Sequence, residues 1–190
     1  MAGVPPAPED VTRAAGAGPA TRVLDLLGER GESLAAAESL TGGLVCAALT
    51  GVPGSSAVVR GGVVSYATGV KRDVLGVPED LLASHGAVSA PCALAMAAGV
   101  RRLLSADWGL ATTGVAGPEP SEGRPVGTVH LAVVGEHRQV HRALHLQGSR
   151  QQVREATVVQ VLELLEQVVR QLSVEAGTVE IWSSENAEEG

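Results

Sequence analysis

Three residues of reactive type, Ser56, Tyr66 and Lys71, lie within a short stretch of the chain. Hydrolysis of an amide without a metal needs a nucleophile, a base and a proton donor, because the carbonyl is weakly electrophilic and the nitrogen leaves poorly. Serine, lysine and tyrosine can supply all three, since a desolvated lysine has a lowered pKa and can accept the serine proton directly or through the tyrosine. The structural alternative is that Ser56 caps the next segment, Tyr66 is a strand aromatic and Lys71 is a solvated charge.

A second group of small polar residues lies in the turn over residues 39–43. Its members are Ser39, Thr41, Gly42 and Gly43, which stand between a strand-like and a helix-like segment. The N–H groups of a helix N-terminus, with hydroxyls nearby, form a ready anion site. We therefore expect a phosphate or ribose hydroxyls to bind here, with a plain helix cap as the alternative. The chain has no Walker A or GxGxxG pattern, so a triphosphate or dinucleotide site is not supported.

Two further segments place small or charged residues where elements begin or end. Thr113, Gly114 and Gly117 follow an apolar strand, and backbone N–H groups there could approach a carboxamide or its oxyanion closely. Arg150 begins the last helix and could bind a phosphate through two hydrogen bonds. The structural alternatives are a turn leaving the sheet and a solvated arginine. In open α/β sheets the ligand crevice lies at the carboxyl ends of strands, where such clusters can converge.

Helix-like and strand-like segments alternate along the middle of the chain, with short turn signals between them. We predict helices over residues 20–30, 44–50, 78–82, 89–104 and 150–172, and strands over residues 33–38, 63–66, 109–113, 128–134 and 139–146. This alternation is typical of a layered α/β domain, so we expect a single three-layer α/β/α domain with a mixed sheet over residues 20–172. Residues 1–19 and the acidic residues 173–190 have the composition of disordered tails.

The composition disfavours several classes of function. A net charge of -7 and 2% aromatic residues argue against nucleic-acid binding, which uses basic surfaces and aromatic platforms. No signal peptide, transit peptide or apolar run of about 20 residues is visible, so we expect a cytoplasmic protein that does not bind a membrane. Cys46 and Cys92 lack a CxxC or metal-ligand spacing and are interpreted as buried, reduced thiols.

Three histidines recur every fourth residue, at His137, His141 and His145. On a helix this spacing would suggest metal ligands. The surrounding pattern is that of a strand, on which residues four apart lie about 13 Å from each other. We therefore predict no metal site.

The motifs of the chain occur in an order that resembles the CinA C-terminal domain family. The ordered set is ESxTGG, GSS, a following Tyr and Lys, TGxAGP, PVGT and GxR, and it spans about residues 20–172. The resemblance implies metal-independent and cofactor-independent hydrolysis of the carboxamide of nicotinamide mononucleotide to the acid and ammonia, in pyridine-nucleotide salvage. It also implies Ser56 as the nucleophile, Tyr66 and Lys71 as its activating partners, and assembly into a homo-oligomer.

Two departures from the family pattern affect the predicted site. The loop after TGxAGP reads Glu119-Pro120-Ser121-Glu122-Gly123, where relatives usually have Asp and paired glycines, and Ser149 stands where relatives often have Asp. Two other functions stay open: a non-catalytic nucleotide-binding or partner-binding module linked to competence and DNA damage, and an amidase for another small amide. The joint presence of Ser56, Tyr66 and Lys71 favours an enzyme with a small-molecule substrate.

Overall fold

The computed structural model describes residues 18–185, and their side chains as far as residue 172. The helices and strands, in chain order, are α1 (Pro19–Arg30), β1 (Leu34–Glu38), α2 (Leu44–Thr50), β2 (Val59–Val64), α3 (Thr68–Asp73), α4 (Glu79–His85), α5 (Ala90–Leu103), β3 (Trp108–Gly114), β4 (Thr128–Val134), β5 (Gln139–His145) and α6 (Arg150–Glu185). A short 3₁₀ turn (Ser55–Ala57) precedes β2. Of the N-terminal tail predicted over residues 1–19, all but the last two residues lie outside the described part. No helix in the described range is both long and apolar enough to cross a bilayer.

The strands form one mixed five-stranded sheet in the order β2-β1-β3-β4-β5. β1 is parallel to both β2 and β3, whereas β4 is antiparallel to both of its neighbours. Parallel neighbours need a crossover connection, which the intervening helices provide, while the short turn between β4 and β5 makes an antiparallel pair. The carboxyl ends of β1, β2 and β3 therefore lie at one edge of the sheet. The predicted α/β class with a mixed sheet is confirmed.

Helices cover both faces of the sheet, so the domain has three layers. One hydrophobic core joins α1, α2 and α6 to a face that includes Leu34, Leu110 and Leu131. The other joins α5 to a face of smaller residues that includes Ala35 and Ala111. Because the chain has no Phe, these cores fill through the close approach of Val, Leu and Ala side chains. The predicted three-layer architecture is thus present.

Helix α6 presents one apolar stripe to the sheet, as its spacing of three and four residues predicts. The stripe consists of Val153, Thr157, Val161, Leu164, Val168 and Leu172. The first five side chains are buried, and that of Leu172 is partly buried. The helix continues to Glu185, which corrects the predicted helix end near residue 172. Residues 173–185 contain no proline, and one glycine costs a helix only about 1 kcal/mol. Residues 186–190 lie outside the described part.

Strand β2 begins at Val59 and ends before Tyr66, which corrects the prediction of a strand over residues 63–66. Glycines are disfavoured within strands, so the pair at residues 61–62 keeps the sequence from indicating the first half of β2. A Cβ on Gly62 would lie 2.2 Å from Cys46 Sγ, so the glycine lets α2 pack closely on the strand. Cys46 and Cys92 are both free thiols; Cys92 is buried, as the sequence predicts, whereas Cys46 is only partly buried, which corrects its interpretation as a buried residue.

The elements between β2 and β3 differ in how well the sequence signals them. Helix α3 is not visible in the sequence, because its six residues show no apolar periodicity. Helix α4 follows Pro78, as predicted, and ends at His85 rather than at residue 82. Ser89 caps α5, since its hydroxyl accepts the N–H of Cys92. The unpredicted helix α3 matters most for function, because it carries Lys71.

The three regularly spaced histidines do not share a site. His137 precedes β5, and His141 and His145 lie within it. His141 Nε2 lies 2.9 Å from Nδ1 of His130 on the neighbouring strand β4. Within the described range there is no group of three or more His, Cys, Asp or Glu side chains that could hold a metal ion.

Candidate active site

The carboxyl ends of the parallel strands bring a serine and a lysine together. Ser39 directly follows β1, Ser65 directly follows β2, and the short helix α3 returns the chain over these ends. Nζ of Lys71 lies 3.1 Å from Oγ of Ser39 and donates to the carbonyl oxygen of Ser65 at 2.6 Å. The pair therefore occupies the crevice position expected for an open α/β sheet.

Lys71 is buried, with an exposed fraction of 1%. Burial lowers the pKa of its amine below the ordinary value of 10.5, and Cys92 and the carboxylate of Glu122 act in the opposite sense. Burial also raises the pKa of the Cys92 thiol to about 11, so that thiol is uncharged near neutral pH. A lysine amine held in this way is suited to accept a proton from a serine hydroxyl.

Ser39 and Lys71 line a cavity of about 270 Å³ that is open to solvent. This volume lies near the lower end of the range for small-molecule sites. The turn after β1, the start of α3 and the loop after β3 form three of its walls. The connection between α4 and α5 and the first residue of α6 complete it. Five separate segments of the chain thus converge on one crevice.

Arg150 and Tyr66 meet at the same cavity. The Arg150 guanidinium donates to the Tyr66 hydroxyl at 3.0 Å and to the Gly117 carbonyl oxygen at 2.5 Å. Tyr66 is 61% exposed, and its hydroxyl contacts this guanidinium rather than Lys71 or Ser39. The structure therefore brings Tyr66 and Lys71 to one site but does not join them by a hydrogen bond. The guanidinium stands where it can receive an anionic group of a ligand.

Ser56 lies at the opposite edge of the sheet, which corrects the prediction that Lys71 activates it. Its 3₁₀ turn precedes β2, and the carbonyl oxygen of Val58 accepts the N–H of Leu34, the first residue of β1. β1 is five residues long, so this edge is about 13 Å from the carboxyl ends of the strands. Ser56 is exposed and does not line the cavity. The serine that lies against Lys71 is Ser39.

The turn over residues 39–43 does not offer the predicted anion site, because a side chain of the protein fills it. The Glu38 carboxylate is fully buried and accepts the N–H groups of Gly43, Val45 and Cys46 at 2.9, 3.1 and 2.8 Å. These are N–H groups at the start of α2 that a bound phosphate would need. Glu38 therefore replaces the expected ligand at this helix N-terminus.

The remaining residues predicted in this turn have structural positions. Thr41 is buried, and its hydroxyl forms a hydrogen bond of 2.8 Å with that of Thr112. Gly42 and Gly43 have φ angles of 59° and 98°, which glycine adopts without strain. None of the three lines the cavity. Of the four residues predicted to bind a ligand here, Ser39 is the one that faces it.

Arg154, one helical turn after Arg150, fixes the backbone that follows Ser39. Its guanidinium donates to the carbonyl oxygens of Leu40 and Thr41 at 3.1 and 2.8 Å. The planar group suits this double contact, which a lysine could not reproduce. The first turns of α6 thus hold two walls of the cavity. The sequence signal for this role is the spacing of four residues between the two arginines, which puts them on one helix face.

The end of β3 and the loop after it line the cavity with all three residues predicted there, Thr113, Gly114 and Gly117. The Thr113 hydroxyl donates to the carbonyl oxygen of Ala87 at 2.7 Å. At Gly114 a Cβ would lie 2.5 Å from the carbonyl oxygen of Thr128, so the close approach of these strands requires glycine. Contact of this loop with a ligand stays a prediction.

Comparison with known proteins agrees with the order of the motifs. The family model of the CinA C-terminal domain matches residues 17–169. The chain belongs to this family. A CinA-like protein from Frankia casuarinae is 54% identical over 147 residues, which are 77% of this chain and 34% of the relative. A putative competence-damage inducible protein from Geobacillus kaustophilus is 54% identical over 136 residues, which are 70% of this chain and 33% of the relative.

Solved structures of CinA proteins share the fold. A CinA superfamily protein from Klebsiella pneumoniae is 35% identical with a TM-score of 0.79, over 80% of this chain and 96% of its own. The competence/damage inducible protein CihA from Agrobacterium tumefaciens is 39% identical with a TM-score of 0.75, over 87% of this chain and 97% of its own. The chain spans about a third of the length of the curated relatives it matches. The names of these relatives refer to competence and damage rather than to a reaction.

The CinA motifs take distinct places in the structure. ESxTGG supplies the buried carboxylate of Glu38 and the hydroxyl of Ser39, whereas GSS forms the 3₁₀ turn at the far edge. The signal that points to Ser39 is its position directly after a buried strand, since ligand crevices lie at that end of parallel strands. Ser56 precedes β2 and therefore lies at the amino end of that strand, away from the crevice.

Proposed function

We propose that the chain is a metal-independent amidohydrolase in which Ser39 is the nucleophile and Lys71 is its base. The observation that carries the proposal is the 3.1 Å contact between the buried Lys71 Nζ and Ser39 Oγ in the wall of an open cavity. A serine hydroxyl is a weak nucleophile near neutral pH, and a desolvated lysine amine is one of the few groups able to activate it. A lysine with a purely structural role would extend its ammonium to solvent or into direct contact with a carboxylate, whereas the described hydrogen bonds of Lys71 go to uncharged groups.

The reaction follows from these two groups. Neutral Lys71 takes the proton of Ser39 while Oγ bonds to the carboxamide carbon, which gives a tetrahedral intermediate. The Lys71 ammonium returns that proton to the amide nitrogen, the C–N bond breaks, ammonia leaves, and an ester remains on Ser39. Water attacks the ester as Lys71 takes one of its protons, and Lys71 then returns this proton to Oγ as the acid leaves. The Ser65 carbonyl oxygen orients the amine by accepting a hydrogen bond from it.

The substrate we propose is nicotinamide mononucleotide, which would be converted to nicotinic acid mononucleotide and ammonia in pyridine-nucleotide salvage. Membership of the CinA family supports this choice. Arg150 at the cavity supports it, because a guanidinium suits a 5′-phosphate. Because Glu38 occupies the N–H groups at the start of α2, that helix N-terminus is not open to a phosphate. Arg150 is then the remaining candidate among the residues predicted to bind the phosphate. A cytoplasmic location and a homo-oligomer stay predictions.

The test is the release of ammonia from nicotinamide mononucleotide by the wild type and by two matched serine variants. We expect the wild type to form ammonia and nicotinic acid mononucleotide in equal amounts. Ser39→Ala should reduce kcat by at least about 1000-fold, because it removes the nucleophile. Ser56→Ala should stay within about twofold of the wild type, since surface changes away from a site have small effects. Thermal unfolding of both variants separates a loss of chemistry from a loss of fold.

Other outcomes would point to the alternative functions. Binding of the mononucleotide by calorimetry, without ammonia, would indicate a nucleotide-binding module. Ammonia from other small amides, with none from the mononucleotide, would indicate a different amidase. Normal turnover by Ser39→Ala, together with an inactive Ser56→Ala, would overturn the assignment of the nucleophile.

A further inference from the structure

The loop between β3 and β4 is tied to the cavity wall by one carboxylate. Oε2 of Glu122 accepts the N–H of Ala87 at 2.7 Å and the N–H of Val88 at 3.2 Å. Ala87 and Val88 join α4 to α5, and both line the cavity. The carbonyl oxygen of Ala87 also accepts the Thr113 hydroxyl. Glu122, residues 87–88 and the end of β3 therefore form one hydrogen-bonded wall.

The local backbone is arranged around this carboxylate. Glu122 has a φ of 50°, a left-handed conformation that is costly for a residue other than glycine, asparagine or aspartate. Hydrogen bonds in both directions between Ser121 and Arg124 hold the turn in this conformation. A Cβ on Gly86 would lie 2.7 Å from Glu122 Oε2, so glycine leaves the room that the carboxylate occupies. Both features serve to bring one negative charge to the wall.

The proposed reaction creates a positive charge that this carboxylate can stabilise. Lys71 becomes an ammonium when it takes the Ser39 proton, and a buried cation without a nearby negative charge is strongly disfavoured. Its hydrogen-bond partners, the Ser39 hydroxyl and the Ser65 carbonyl, are uncharged. Burial lowers the pKa of Lys71, and the two groups that raise it are Cys92, which is a neutral thiol, and Glu122. The other titratable groups that line this cavity are Tyr66, Glu119 and Arg150.

We propose that Glu122 is a positioning residue for the reaction: its carboxylate fixes the wall over residues 87–88 and stabilises Lys71 in its protonated form. The inference rests on the proposed function, since it takes Lys71 as the base. It assigns a role to the loop over residues 119–123, whose sequence departs from the usual family pattern. Glu122 acts through Lys71 and does not itself touch the reacting atoms.

The test uses a reaction that does not depend on the natural substrate. Diisopropyl fluorophosphate labels an activated serine: Oγ bonds to phosphorus, fluoride leaves, and Lys71 takes the serine proton. The labelling rate at Ser39, followed by intact mass, should rise with pH as Lys71 loses its proton. Glu122→Gln retains an oxygen that can accept the two N–H groups but removes the charge. We expect the acidic limb of the labelling profile, the pH range over which the rate rises, to lie about one pH unit lower in this variant than in the wild type. At pH values below that range, Glu122→Gln should be labelled about tenfold faster than the wild type.

Two further variants make the result specific. Glu119→Gln also removes a negative charge from the cavity lining, but the N–H groups of residues 87–88 bind Glu122 and not Glu119. The acidic limb of its labelling profile should therefore stay at the pH that the wild type shows. Glu122→Ala should show the shifted limb together with a lower unfolding temperature. An unshifted limb in Glu122→Gln, or an equal shift in Glu119→Gln, overturns the inference and leaves Ser39 and Lys71 in their roles. Absence of labelling at Ser39 in the wild type at every pH overturns the proposed function and this inference with it.

Discussion

The buried carboxylate of Glu38 allows the effect of one substitution on stability to be worked out from its contacts. Glu38→Ala removes the acceptor of the N–H groups of Gly43, Val45 and Cys46, which lie 2.9, 3.1 and 2.8 Å from its oxygens. A buried N–H left without a partner costs about 1–3 kcal/mol. Water can reach Gly43 and Cys46, which are partly buried, more easily than it can reach Val45. We therefore expect a loss of about 3–5 kcal/mol, a large part of the stability of a typical domain.

Urea unfolding at pH 7, followed by circular dichroism, measures this loss. Glu38→Gln should lose about 2 kcal/mol, because its amide oxygen can still accept while its NH₂ group faces backbone donors. The matched control is Glu29→Ala on the exposed face of α1, which should stay within about 0.5 kcal/mol of the wild type. A loss below about 1 kcal/mol in Glu38→Ala, with an unchanged m value, would refute the reasoning. It would mean that water satisfies these N–H groups and that the start of α2 is open to an anion.

Two further predictions concern the basic residues of the cavity. Lys71→Met should abolish turnover yet raise the unfolding temperature at pH 7 in calorimetry, since the folded-state pKa of Lys71 lies below its unfolded value near 10.5. The folded chain then binds fewer protons than the unfolded chain at pH values between the two pKa values. The free-energy cost of burying the Lys71 amine is therefore complete below its folded pKa and disappears as the pH rises to 10.5. The difference in unfolding temperature between Lys71→Met and the wild type should shrink over that pH range. Arg150→Ala should lower kcat/KM for nicotinamide mononucleotide by at least about tenfold, the value of one charge-assisted hydrogen bond, and barely change it for nicotinamide riboside. Equal losses on both substrates in the ammonia assay would make Arg150 a structural residue.

The fold is predictable from the sequence wherever local patterns are uninterrupted. β4 (Thr128–Val134) and α2 (Leu44–Thr50) have the bounds that periodicity and turn residues indicate. β2 and α3 are the counterexamples, because two glycines interrupt the first and the second has too few residues to show a period. In both cases tertiary packing decides the local structure.

The candidate site is less predictable, because its residues are joined by topology rather than by spacing. Ser39 and Lys71 are 32 residues apart, and they meet because a crossover returns the chain to the same edge of the sheet. Ser39 and Ser56 stand in similar glycine-containing segments, but one follows its strand and the other precedes it. Glu38 illustrates a further limit: a charged residue at the end of a strand indicates solvent, and only the packing of α2 reveals that it is buried.

Formation of the site depends on helix α6, which the ribosome synthesises after the strands of the sheet. Of the described elements it is synthesised last, and it carries Arg150 and Arg154, whose guanidinium groups hold the loop at Gly117 and the turn after Ser39. A nascent chain that has emerged as far as β5 contains every strand of the sheet, together with Ser39 and Lys71. It still lacks both arginines and the apolar stripe that covers one face of the sheet. The proposed hydrolytic activity should therefore arise only after residues 150–154 have left the ribosome, when α6 docks and orders the turn that carries Ser39, the proposed nucleophile.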